Sequence, residues 1–324
     1  MHILLIAGGW SGEREVALSG ARQIEKGLQA LGHTVTLFDP ARDLRGLPAA
    51  AQGKDFAFIN LHGSPGEDGL VQCLLERMGL PFQGSDSRSS LLALNKAVSK
   101  QIFEAAGLAT PAWEFVPASH VAEWRPLLPF PLVVKPNTGG SSLGVGVIRS
   151  EEELEAYLLQ PEIAGQDLLA ETLIHGQELT CGVLEGETLP PILIRPKHGK
   201  FFDYESKYVA GASEEVCPAP ISPELTATLQ RMARTAHDAL GLSDYSRSDF
   251  IVTDKGVPAA LVMATCRSML RAAALRLDSP SAVLAEVNET LVPEIPPAMF
   301  VTCLYAIIDT TEGEVVFANA GHNL

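Results

Sequence analysis

The chain has 324 residues, 46% of them hydrophobic, and a formal charge of −15. That length and apolar share describe a globular protein of two or three domains with a core of its own. The acidic balance argues against non-specific nucleic-acid binding, since a phosphate backbone attracts basic surfaces, and any polyanionic ligand needs a local basic pocket.

Met1-His2-Ile3-Leu4-Leu5 enters an apolar strand at once, without the basic leader of a signal peptide, and no run approaches the ~18 apolar residues of a membrane span. The expectation is a cytoplasmic protein with no membrane partner. Residues 2 to 8 read as a strand ending in Gly8-Gly9, Glu13 to Leu31 has helical periodicity, and His33 to Phe38 is apolar and β-branched, which makes a strand-helix-strand unit of a parallel sheet. Asp55 to Leu61 is another strand, ending in the glycine-rich loop of His62. Ligand groups in such sheets lie beyond the carboxyl ends of the strands, where both loops fall.

Ser90 to Ala106 reads as one helix, and Pro111 to Val116 opens a second domain. Pro129 to Lys135 is a strand that returns, through a glycine-rich turn, along Val145 to Ile148; this hairpin can close over phosphates. Ser150-Glu151-Glu152-Glu153 has capping-box character and starts a helix through Leu159. Leu168 to Leu173 is a strand before the loop His175-Gly176-Gln177-Glu178, and Ile192 to Tyr208 is strand and long loop. Ser222 caps a helix to Leu240 with Pro223 at its first position, and Ser246 to Val252 is the strand that follows. Past Thr253, Val257 to Ala274 and Ser279 to Leu291 look helical, and Phe300 to Asp309 with Glu314 to Asn319 forms a hairpin. The five cysteines are far apart and include no Cys-x-x-Cys pair, so neither a zinc knuckle nor a disulfide framework is indicated.

Four blocks stand in order: Gly8-Gly9-Trp10-Ser11-Gly12-Glu13-Arg14-Glu15-Val16, Leu61-His62-Gly63-Ser64-Pro65-Gly66-Glu67-Asp68-Gly69, Val134-Lys135-Pro136-Asn137-Thr138-Gly139-Gly140-Ser141-Ser142-Leu143-Gly144, and Phe202-Asp203-Tyr204-Glu205-Ser206-Lys207-Tyr208. Residues 1 to 252 thereby resemble a D-alanine-D-alanine ligase of the ATP-grasp superfamily. The resemblance implies an α/β fold, with an open parallel-sheet domain over 1–95, a central ATP-grasp domain over 96–185 and a truncated C-terminal ATP-grasp domain over 186–252. It implies ATP, Mg2+ (with Mn2+ as alternative) and D-alanine as ligands, a homodimer as the common assembly, and ligation through an acyl phosphate in peptidoglycan precursor synthesis.

By the same resemblance, Lys96 and Lys135 meet the ATP phosphates, with Lys207 as a third lysine, and Gly140 and Ser142 belong to the loop that offers them backbone N–H groups. Glu171 and Glu178 match carboxylates near adenine and ribose, while Leu173, Ile174 and Phe201 wall the nucleotide. Glu13 matches the acidic residue that orients the first D-alanine amine, linked to Ser141 and Tyr208; it also reads as a helix N-terminal carboxylate favoured by the dipole, and both can hold. His62 matches the histidine near the first substrate carboxylate, Arg247 an arginine on the acyl phosphate, and Asp249 the first magnesium ligand.

There the pattern breaks. Counting on from Asp249, the Glu-x-Asn expected on the next strand falls at Val262-Met263-Ala264, and neither Val nor Ala can ligate a metal. The later glycine-rich turn and serine that hold the second D-alanine are missing too. Thr253 to Ala264, Arg267-Ser268-Met269-Leu270-Arg271, Met299 to Cys303 and Phe317 to Leu324 instead resemble the sporulation-E-type branch of metal-dependent protein phosphatases, an atypical α+β segment over 253–324. That fragment lacks its own family's metal aspartates. Little ligase turnover is expected; the alternative is a non-catalytic ATP-binding regulatory or fusion protein whose phosphatase-derived segment binds a partner.

Overall fold

Strand β1, His2–Ala7, is buried at every residue after His2, as a strand covered on both faces must be. It is the centre of a parallel sheet in the order β2-β1-β3, with β2 over Thr34–Phe38 and β3 over Phe56–Asn60. Helix α1, Arg14–Ala30, lays Ala17 and Ala21 on this sheet; short helices α2, Pro40–Asp43, and α3, Leu47–Ala51, lead back to β3. The computed structural model describes residues 1–140, 143–196, 213–253, 279–291, 303–309 and 314–320.

The loop after β3 is cramped. Gly66 donates its N–H to Gly63 at 2.8 Å, and a Cβ added to Gly66 would lie 2.1 Å from Cβ of the buried Leu61. Gly66→Ala is therefore expected to lower the unfolding free energy by about 1–3 kcal/mol, as overpacking does, read from the midpoint of urea unfolding. Helix α4, Leu70–Met78, follows, then α5, Ser87–Leu94, and α6, Lys96–Ala105.

The single helix expected over Ser90 to Ala106 is thus two. Asn95 breaks it: its backbone is extended at ψ 100, and its Oδ1 accepts from Val98 N at 3.1 Å and from Asn137 Nδ2 at 3.0 Å. A short polar side chain that can bond the backbone locally competes with the helix at its own position.

An antiparallel sheet in the order β4-β7-β5-β6 comes next, from β4, Trp113–Val116, β5, Leu132–Pro136, β6, Gly146–Ile148, and β7, Leu168–Thr172. One face is the core: Leu132, Val134, Leu168 and Ala170 pack with Leu154 and Tyr157 of helix α7, Glu151–Leu158. Ser150 caps α7, its hydroxyl accepting from Glu153 N at 3.3 Å, while the Glu153 carboxylate accepts from Arg149 N at 2.8 Å.

A third sheet has the order β11-β10-β8-β12, with β9 on β8: β8, Gln177–Leu184; β9, Glu187–Thr188; β10, Ile192–Pro196; β11, Ser213–Val216; β12, Tyr245–Val252. Helix α8, Pro223–Ala239, is capped by Ser222 as expected and buries Leu229 and Ala233 against this sheet. Gln177 and Glu178, expected in a loop, open β8, because Ile251 and Val252 pair with them. The loop of Gly84 and Ser85 is tied to the start of β12: Gly84 N donates to Asp244 Oδ2 at 2.7 Å and Ser243 N to Ser85 Oγ at 3.1 Å.

The chain divides into two compact units, residues 1–102 with 111–252, and 103–110 with 253–324. In the second, helix α9, Pro280–Leu291, buries Val283 and Val287 and lies against an antiparallel hairpin of β13, Cys303–Asp309, and β14, Glu314–Ala320. The helix expected over Val257 to Ala274 lies outside the described residues.

Candidate functional site

Strand alternation sets Val133 and Lys135 of β5 on the face opposite the core, and Glu171 of β7 pairs directly with Val133, so Lys135 and Glu171 share that face. The two form an ion pair. The other Glu171 oxygen is taken by Lys100 of α6, Nζ to Oε1 at 2.6 Å. Burial alone would raise the Glu171 carboxyl, but the charges of Lys135 and Lys100 hold it below its ordinary value. Lys100 was not among the residues expected at the site; its signal is the Lys96-x-x-x-Lys100 spacing, which puts both lysines on one helical face.

Lys96 opens α6 beside the glycine loop. Its Nζ donates to Gly139 O at 2.6 Å and Asn137 O at 3.4 Å. Asn137, 1% exposed, fastens the arrangement: its Oδ1 accepts from Ala97 N at 2.9 Å, its Nδ2 donates to Asn95, and its N donates to Asp167 O at 2.8 Å. Burial, aided by the charge of Lys135, pushes the Lys96 ammonium down to about 8. This corner carries three lysines against one paired carboxylate, which suits it to an anion.

Acidic groups gather beside Gly140, one residue on from the Gly139 carbonyl that Lys96 meets. Glu13, at the N-cap of α1, is buried. Its backbone N donates to Ser11 Oγ at 3.2 Å, and that hydroxyl donates to His62 O at 2.6 Å, which joins the first loop to the His62 loop. A Cβ placed on Gly140 would stand 3.7 Å from Glu13 Oε2 and 3.9 Å from Glu67 Oε2, so the loop reaches both carboxylates. Burial raises the Glu67 carboxyl, and the charge of Glu13 adds to the rise. Glu67 belongs to the His62 motif but was not singled out from the sequence; only the fold sets it beside Glu13.

Arg247 and Asp249 lie on β12, where Asp249 pairs with Thr180 and Ile251 with Glu178. Arg247 Nε donates to Asp249 Oδ1 at 3.1 Å, and Thr180 Oγ1 donates to the same oxygen at 2.8 Å. Leu173 and Ile174 are half-buried in the link from β7 to β8, with Leu173 N donating to Pro131 O at 3.2 Å. Ser141, Ser142, Phe201, Lys207 and Tyr208 lie outside the described residues. Among the described residues, no cluster of three or more His, Cys, Asp and Glu side chains could hold a metal ion.

Residues 102–270 match the family model for the D-ala D-ala ligase C-terminus. A D-alanine-D-alanine ligase of Oleidesulfovibrio alaskensis is 54% identical over 269 residues, covering 83% of this chain and 87% of that protein. The chain belongs to the D-alanine-D-alanine ligase family. The relative from Nitratidesulfovibrio vulgaris is 52% identical over 290 residues, 87% of this chain and 96% of its own. Among solved structures, the D-alanine-D-alanine ligase of Bacillus anthracis superposes with a TM-score of 0.68 at 30% identity, over 91% of this chain and 98% of that one. The same enzyme complexed with ATP gives 0.66 at 27%. Residues 252–324 match stage II sporulation protein E, so that match starts where the ligase resemblance was expected to end, and the two family matches overlap across 252–270. No helix among the described residues is long and apolar enough to cross a membrane.

Proposed function

We propose that residues 1–252 form the site of an ATP-dependent ligase that transfers the γ-phosphoryl of ATP to the carboxylate of D-alanine, leaving ADP, and joins the acyl group to the amine of a second D-alanine with release of phosphate. The observation that supports this most directly is the cluster of Lys96, Lys100 and Lys135 around Glu171, beside a glycine loop that also reaches Glu13 and Glu67. In this reading Lys96 and Lys135 bind phosphate oxygens, which accumulate charge as the phosphoryl group moves. Glu13, with Glu67 beside it, accepts from the ammonium of the first D-alanine, and His62 faces its carboxylate. Arg247 exchanges its bond to Asp249 for the acyl phosphate. Glu178, Leu173 and Ile174 meet the nucleoside, whereas Glu171, whose family match is to the adenine side, has both carboxylate oxygens on lysines and in this reading holds them rather than adenine. Ser141, Ser142, Phe201, Lys207 and Tyr208 are assigned by family pattern alone. The division at 95, 185 and 252, cytoplasmic placement and a homodimer belong to the same proposal.

Mg2+ is the family's expected metal and would neutralise charge on the nucleotide phosphates. The residues present do not fit its full donor set. Asp249 is bonded to Arg247 and Thr180, and the ligase family match runs through Val262 and Ala264, the positions at which Glu and Asn were expected. The expected outcome is nucleotide binding with weak turnover.

Phosphate release with and without D-alanine, alongside calorimetric titration of Mg-ATP, tests this. Binding without D-alanine-dependent release is the expected result. Release at an ordinary ligase rate would overturn the impairment, and absence of nucleotide binding would overturn the site assignment.

A further inference from the structure

We propose that Lys100 is a positioning residue that keeps the Glu171 carboxylate paired and aimed when Lys135 leaves it for a nucleotide phosphate; this rests on the reading of Lys135 as a phosphate ligand. The two oxygens of Glu171 are divided between two cations. Lys100 holds Oε1 at 2.6 Å, and Lys135 holds Oε2. The cations differ in freedom: the Lys100 side chain is 8% exposed and also donates to Pro111 O at 3.3 Å, whereas Lys135 is 22% exposed. Lys100 is the fixed partner and Lys135 the one that can turn.

The need for two follows from burial. A buried carboxylate that loses its only cation is left with an uncompensated charge, which is strongly unfavourable. If Lys135 were the sole partner of Glu171, an incoming phosphate would compete with that carboxylate for it. With Lys100 in place Glu171 stays ionised and oriented, and Lys135 exchanges one anion for another. Lys100 and Lys96 stand one helical turn apart on α6, so the helix segment that offers Lys96 to the phosphates also holds Glu171.

The test compares wild type, Lys100→Met, Glu171→Gln and the double variant by calorimetric titration with ADP and with adenosine, which has no phosphate for Lys135 to reach. Lys100→Met is expected to weaken ADP binding about tenfold while changing adenosine binding less than about twofold. In the Glu171→Gln background, where no carboxylate holds Lys135 back, adding Lys100→Met is expected to change ADP binding by less than about twofold. A merely structural lysine would lower both ligands together, and that result overturns the proposal, as does unchanged ADP binding in Lys100→Met. If Lys100→Met does not fold, the Glu171→Gln pair decides: a tenfold ADP loss on adding Lys100→Met there also overturns it. A wild-type protein that binds no ADP overturns the site assignment and this proposal with it.

Discussion

Combining Val262→Glu with Ala264→Asn is expected to raise D-alanine-dependent ADP formation by at least about a hundredfold, at about 1.4 kcal/mol of barrier per tenfold. The expected effect is electrostatic. Transfer of a phosphoryl group between a nucleotide and a carboxylate brings several negative oxygens together, and in the proposed site Lys96, Lys135 and Arg247 would supply the positive charge without a complete set of metal donors. By family pattern, a carboxylate and an amide oxygen at these two positions would supply metal donors that Val and Ala cannot.

The gain should stop at the first half-reaction. By family pattern the glycine-rich turn and serine that would hold the second D-alanine are absent as well, so ADP should accumulate, with phosphate released as water hydrolyses the acyl phosphate, and with little dipeptide. ADP binding without D-alanine should change far less than turnover, and measuring both separates a repaired metal site from a repaired fold. No gain in ADP formation would mean that positions 262 and 264 do not correspond to the family's Glu and Asn.

How far the sequence carried depended on whether a feature was local. The run from Ile3 to Ala7 is apolar at every position and is buried at every position, and Ser222-Pro223 starts α8 by the capping chemistry that its residue types predict. The parallel sheet and the hairpin of β5 and β6 were legible for the same reason. Asn95 was not, because the periodicity from Ser90 to Ala106 runs straight through it, and its partner Asn137 comes from a distant strand. His175-Gly176 is a strong turn signal that drew Gln177 and Glu178 into the loop, although pairing with β12 makes them strand. Lys100 was hidden most fully: a lysine within an amphipathic helix reads as solvated, and only the approach of α6 to β7 reveals the carboxylate that it meets.

ADP affinity should be highest below about pH 8 and fall as pH rises above it, by up to about tenfold per unit for a single linked proton. The Lys96 ammonium is pushed down from its ordinary 10.5 to about 8, by burial first and then by the charge of Lys135, with Glu171 and Glu67 opposing. In the nucleotide-free protein the unfolded chain therefore binds more protons than the folded one between about 8 and 10.5. Lys96 thus disfavours folding below about pH 8, and that penalty disappears as pH rises through this window. A bound phosphate reverses the local balance: its charge raises the Lys96 pKa, so ADP binding above pH 8 should take up a proton. Calorimetric titrations at pH 7 to 9.5, in buffers of different ionisation enthalpy, read both the affinity and the uptake. Lys96→Met should weaken binding at pH 7 and abolish the Lys96-linked uptake. A flat profile with no uptake in the unaltered protein would mean that Lys96 does not touch the phosphates, leaving Lys135 as the one described lysine of the assigned pair still able to bind them.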